Sequence, residues 1–171
     1  QKHSIEVSKL CREIGVAMKL PEPEIIKLGN AGYLHDIGKI ALSNKNIGAN
    51  RAEFLSDEEK EMLQQHPVVG YRILSLSEDM VDLADGVYGH HERWNGTGYP
   101  KGIKQTEIPL TSRIIAIAEA YERIRNEKNY SHESKAFALS VIQRGAGISF
   151  DPEISSLFIQ LINAQDDNIE S

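Results

Sequence analysis

Apolar residues recur at helical spacing along nearly the whole of this 171-residue chain. Between Ile5 and Leu20, the residues Val7, Leu10, Ile14 and Met18 form one stripe, and "LPEPE" at 20–24 breaks that helix and starts another. The second stripe, Ile25, Leu28 and Ala31, leads into Leu34. "SDEEKEMLQQH" opens with Ser56 and Glu59 in capping-box register and predicts a helix that ends at His66. Residues 78–91 predict another, ending at the pair His90-His91. In "PLTSRIIAIAEAYERI", Leu110, Ile114, Ile117, Ala118, Tyr121 and Ile124 fall at helical spacing. Asp151 and Pro152 then make an N-cap and first-turn pair for a last helix running to about Ala164. No segment alternates as a half-buried strand does, and the connectors at 43–55, 93–108 and 126–131 are polar or carry Gly and Pro. The expectation is an all-α fold, a single compact helical domain over residues 1–165 with a frayed tail at 166–171.

Composition narrows the setting. With 40% hydrophobic and 26% charged residues the chain is of ordinary globular make-up, and its apolar runs are too short and too interrupted to cross a bilayer. Cys11 is the sole cysteine, which excludes a disulfide framework and a cysteine-based zinc site; a reducing, cytoplasmic setting is expected. The formal charge of −6 argues against a partner that is a nucleic acid polymer. A small anionic ligand stays open, because local cations or a metal invert the field in one pocket. No signal-peptide pattern opens the chain, and Gln1 in place of Met suggests a fragment or a processed product.

The histidines supply candidate chemistry. His3 begins the first predicted helix, His35-Asp36 closes the second, His66 ends the capped helix and His90-His91 end the next; His132, in "YSHES", sits apart. Adjacent helical residues point about 100° apart, so His90 and His91 suit one polar centre better than one apolar core. A helical bundle builds an interior metal site by converging side chains in this way. Imidazole and carboxylate without thiolate suit iron, manganese, cobalt, nickel or zinc in an open, hydrolytic site. Asp36, beside His35, is placed to bridge two metals.

"HDIGKI" at 35–40, the His-Pro at 66 and "HHERWNGTGYP" at 90–100 together resemble the signature of the HD-GYP family, a branch of the HD metal-dependent phosphohydrolases of bacterial cyclic di-GMP signalling. The likeness runs from "KHS" at residue 2 to about Ile162 and takes in "RGAGISFDPE" at 144–153. It implies an HD-superfamily helical domain with the branch's C-terminal helices, holding two or three divalent metals, iron or manganese. Such a domain hydrolyses cyclic di-GMP to pGpG and onward to GMP through a hydroxide bridging the metals. The resemblance makes His3, His35, Asp36, His66, His90 and His91 ligands, with Asp36 bridging, and sets Lys39 against the scissile phosphate. Gly98, Tyr99 and Pro100 become a rigid loop at the pocket rim, and Trp94 becomes loop packing.

Three departures bear on activity. Glu119 in "AEAYERI" stands where the family carries a ligand Asp. Lys128 and Ser131 stand where the family has an Arg and a further basic residue for phosphate; Lys lacks the bidentate fork and Ser lacks the charge. The Glu that serves a third metal in some members falls before Gln1, and Asn95, where Asp is common, is a mild change on the loop. The expected partners are cyclic di-GMP, signalling proteins such as diguanylate cyclases at the GYP loop, and a regulatory domain N-terminal to this segment, with no membrane. The alternatives are a catalytically degenerate cyclic-dinucleotide sensor or interaction module, and a phosphodiesterase for another cyclic dinucleotide such as 3′,3′-cGAMP.

Overall fold

A computed structural model describes residues 2–43, 56–126 and 134–167. Its helices are α1 (Lys2–Ala17), α2 (Glu22–Leu34), α3 (Ile37–Ser43), α4 (Asp57–Leu63), α5 (His66–Leu74), α6 (Val81–Tyr88), α7 (Leu110–Asn126), α8 (Ser134–Gly145) and α9 (Pro152–Asp167). Among the described residues the extended pairing amounts to one isolated bridge, Ala146 with Phe150. No helix among them is long and apolar enough to cross a membrane.

The near-continuous apolar run "IIAIA" suits α7 to an interior position, and α1, α2, α6, α8 and α9 all pack on it. Ile114, Ile115, Ile117 and Ala118 are fully buried there, with Val7 and Ile14 of α1, Val87 of α6, Ile142 of α8 and Phe158 of α9. Each buried side chain of this size contributes about 1.5–3 kcal/mol. Tyr121 meets Phe158 edge-on at 4.9 Å and closes the α7–α9 contact.

Two expected caps form. Ser56 Oγ accepts from Glu59 N while Glu59 Oε2 accepts from Ser56 N, at 3.2 and 2.7 Å. Asp151 Oδ1 accepts from the N–H groups of Glu153 and Ile154 at 2.9 and 3.2 Å, starting α9.

Several boundaries differ from the pattern. The capped helix ends at Leu63, and His66 begins α5 instead of closing α4. Pro67 explains the break, because it has no N–H to give the Leu63 carbonyl. The helix expected over 78–91 is shorter, since Gly89 caps α6 and leaves His90 and His91 in the following turn. α3, α5 and α8 add to the predicted elements, and α9 runs two residues into the stretch expected to fray.

Candidate metal centre

Three histidines take their orientation from helix ends. The last turn of a helix leaves carbonyls without partners. His35 Nδ1 donates to Gly32 O at 2.7 Å, His66 Nδ1 donates to Leu63 O at 2.7 Å, and His90 Nδ1 donates to Val87 O. The Leu63 carbonyl is the one that Pro67 leaves free. Each bond puts the proton on Nδ1, so each Nε2 turns a bare lone pair inward.

Those lone pairs converge. His66 Nε2 lies 3.2 Å from both His90 Nε2 and His91 Nε2, and His3 Nε2 lies 3.3 Å from His35 Nε2. Two groups of ligand atoms result, His66 with His90 and His91, and His3 with His35 and Glu119, each within 4.8 Å internally. Metal–imidazole bonds of about 2.0–2.1 Å put neighbouring donors about 3.0–3.4 Å apart, the spacing seen here. Asp36 sits between the groups, with Oδ1 at 3.3 Å from His66 Nε2 and Oδ2 at 3.6 Å from His35 Nε2. Asp36 Oδ1 is buried with no hydrogen-bond partner. Facing lone pairs and an orphaned carboxylate oxygen repel one another unless cations lie between them. This donor set fits two divalent cations.

Electrostatics agree with that chemistry. Burial lowers His66 to about 4 and His91 to about 3, and it takes His90 well below the usual histidine range. The unshared pairs are therefore free at neutral pH. Burial alone raises Asp36, but His35, Lys39 and His66 outweigh it and hold the carboxyl below its ordinary value. Lys39 Nζ, one helical turn on, donates to Asp36 Oδ2 at 2.7 Å.

Gly38 and Gly98 serve close approaches. A Cβ on Gly38 would stand 2.0 Å from His66 O, so α3 rests directly on the start of α5. A Cβ on Gly98 would stand 2.3 Å from Arg93 N and 2.5 Å from His91 O, which folds the loop back onto the histidine turn. Tyr99 N donates to His91 O at 3.2 Å, and its ring stacks on His91 with centroids 4.9 Å apart. The Tyr99–Pro100 peptide is cis. Burial, then Glu119 and Asp36, push the Tyr99 hydroxyl up to about 12, so it keeps its proton. Trp94 N and Asn95 N donate to Ser149 O and Ile148 O, stitching this loop to the late "GAGISF" segment. Asn95 Oδ1 accepts from Thr97, within its own loop.

Two carboxylates escaped the sequence reading. Glu122 is buried and accepts from His3 Nδ1, and its other oxygen accepts from Asn126 Nδ2 at 2.6 Å. Glu92 Oε1 accepts from Lys101 N and Gly102 N at 2.6 and 3.1 Å, anchoring the loop beyond Pro100. Glu122 stands one turn after Glu119 on α7, but among the charged residues of that helix nothing in the sequence set it apart. Lys128, Ser131 and His132 lie outside the described residues. Beside the ligand cluster a cavity of about 350 Å³ is lined by residues including His91, Tyr99, Glu119, Arg123, Ser149 and Phe150.

Residues 1–154 match the model of the HD domain family. The chain is 32% identical over 163 residues to a cyclic di-GMP phosphodiesterase of Thermotoga maritima, covering 94% of this chain and 44% of that protein. It is 33% identical to a cyclic di-GMP phosphodiesterase of Pseudomonas aeruginosa, covering 94% of this chain and 38% of that protein. It thus spans less than half the length of these relatives. The crystal structure of a cyclic GMP-AMP specific phosphodiesterase of V. cholerae superposes with a TM-score of 0.74 at 25% identity, covering 94% of this chain and 44% of that one. A domain-length family match, the converging histidines and the folded Gly-Tyr-Pro loop agree: this chain belongs to the HD-domain family, in its HD-GYP branch.

Proposed function

We propose that this domain is a phosphodiesterase that hydrolyses cyclic di-GMP to pGpG and GMP. Its ligands are His3, His35, Asp36, His66, His90, His91 and Glu119, and they hold two iron or manganese ions. The observation that carries this reading is Asp36, whose Oδ1 is buried and unpartnered between two groups of ligand atoms. When bound, paired divalent cations supply a water acidic enough to ionise near neutral pH and neutralise charge on phosphate oxygens.

The chain's own groups arrange the rest. Asp36 stays ionised beside Lys39, whose ammonium adds a further cation for an oxygen of the scissile phosphate. Tyr99 remains a neutral donor at the cavity wall, held there by Gly98, Pro100 and the His91 ring. Glu122 fixes the tautomer of His3 so that Nε2 faces its partner ligands. In the same reading the domain works in the cytoplasm beneath an N-terminal regulatory domain, and signalling partners dock at the Gly-Tyr-Pro loop; relatives more than twice as long favour such a partner domain. The likeness to the cyclic GMP-AMP enzyme favours 3′,3′-cGAMP as the second candidate substrate.

Elemental analysis of freshly purified protein is expected to find two divalent ions per chain, one for each ligand group. A product assay is expected to release pGpG and GMP from cyclic di-GMP faster than linear product from 3′,3′-cGAMP. Asp36→Ala is expected to lose both metals and all turnover, and Lys39→Ala to keep the metals with reduced turnover. Metal-free parent protein, or no release of pGpG or GMP from cyclic di-GMP, sinks the proposal.

A further inference from the structure

The cavity beside the ligand cluster has a cationic wall that this chemistry does not use. Arg123 follows Glu119 by one turn of α7, so the two side chains share a face, and both line the cavity. Ala116 and Ala120 line the same wall with small side chains. Arg123 is exposed and forms no ion pair with the described residues. Its charge is close enough to Tyr99 to oppose the rise in that hydroxyl's pKa. Arg93, also on the cavity, is differently engaged: its Nε and Nη2 donate to Ser149 Oγ at 3.2 and 2.6 Å. In a chain of formal charge −6, an unpaired guanidinium next to a carboxylate ligand is poised for an anion brought by the substrate.

We propose that Arg123 binds the second phosphate of a cyclic dinucleotide, the one not being cleaved, and selects substrates with two phosphates over simple phosphodiesters. This rests on the phosphodiesterase reading. A ring with two phosphodiesters presents one at the metal ligands and must have the other matched within the same cavity. The planar fork of Arg meets two phosphate oxygens at once, which an ammonium does not.

The test compares metal-loaded parent, Arg123→Ala and Arg123→Lys on cyclic di-GMP and on bis(p-nitrophenyl) phosphate, which has one phosphate. Calorimetry with a non-hydrolysable phosphorothioate of cyclic di-GMP reads binding apart from turnover. Arg123→Ala is expected to raise both KM and Kd for the dinucleotide about tenfold or more, with a smaller change in kcat and a smaller effect on the single phosphodiester. Arg123→Lys is expected to recover part of the loss. An unchanged Kd, or equal losses on both esters, overturns the role of Arg123. A parent that binds the phosphorothioate without hydrolysing cyclic di-GMP overturns the phosphodiesterase reading, while the Kd comparison still decides Arg123. A parent that does neither overturns both.

Discussion

His35, His66 and His90 each commit Nδ1 to a carbonyl three residues back, and this leaves Nε2 to define the centre. Glu119 stands at the proposed ligand position where the resemblance leads one to expect Asp, and its carboxylate lies within 4.8 Å of the ligand atoms of His3 and His35. Its extra methylene therefore need not mark a degenerate site. Glu119→Ala is expected to weaken metal binding more than tenfold at that group (losing even a partner that only hydrogen-bonds to a ligand costs about 10–100-fold) and to lower the content toward one ion per chain. The His66–His90–His91 group has no contribution from Glu119 and is expected to stay loaded. Glu119→Asp is expected to keep both ions. Titration of the metal-free variants reads both quantities, and full stoichiometry at parent affinity in Glu119→Ala would mean that Glu119 is not a ligand.

At the scale of elements, Asp151 joins two roles that the sequence showed only in part. The Asp-Pro pair announced an N-cap, and Asp151 Oδ1 supplies it. Nothing in the pattern announced Arg113, whose Nη1 donates to Asp151 Oδ2 at 2.6 Å and ties the start of α9 to α7. Asp151 is 4% exposed, so its loss leaves Arg113 facing a poorly hydrated gap. Asp151→Ala is expected to cost about 3 kcal/mol, combining a lost cap with a broken, mostly buried pair. Thermal unfolding should fall by roughly 10 °C. Asp151→Asn keeps the capping oxygen and is expected to recover part of this; equal losses for Ala and Asn would assign the whole effect to the ion pair. The same contrast explains what was legible beforehand. Caps and apolar stripes are local signals, and they located α1, α2, α4, α7 and α9 to within a few residues. The break at His66 follows from Pro67, a local signal that the apolar stripes do not carry, whereas the break at Gly89 goes with a glycine packed against Ser112, a tertiary fact that leaves no period in the sequence. The histidines were legible because their types and spacings are unusual together, whereas Glu122 resembled any other charged helix residue.

Beside its apolar core the molecule buries a cluster of imidazoles, and this makes its stability depend on acidity and on metal together. In the folded, metal-free chain, burial lowers His66 to about 4 and His91 to about 3, and it also lowers His90. In the unfolded chain each returns to the ordinary 6.5. Above pH 6.5 both states are neutral at these residues and no penalty arises. As pH falls below 6.5 the unfolded chain takes up protons that the folded chain does not, so stability declines until the folded groups titrate near 4 and 3. Asp36 works in the same direction but at lower pH, because its lowered pKa contributes stability that is lost as pH falls below the ordinary carboxyl value of 3.8, outside most of this window. Metal-free protein is therefore expected to unfold at a steady temperature above pH 7 and at progressively lower temperatures from about pH 6.5 to pH 4. Divalent metal binds the deprotonated ligands of the folded state, so at a hundredfold excess over Kd each bound ion adds about 2.7 kcal/mol of stability at pH 7 and the unfolding temperature rises. His91→Gln removes one of the three titrations and is expected to flatten the acid slope of the metal-free protein. Scanning calorimetry at pH 5, 6 and 7, with and without chelator, checks all of this. A metal-free unfolding temperature that stays constant across that range would show that these imidazoles are hydrated in solution, and the cation-demanding cluster argued from their burial would have to be given up.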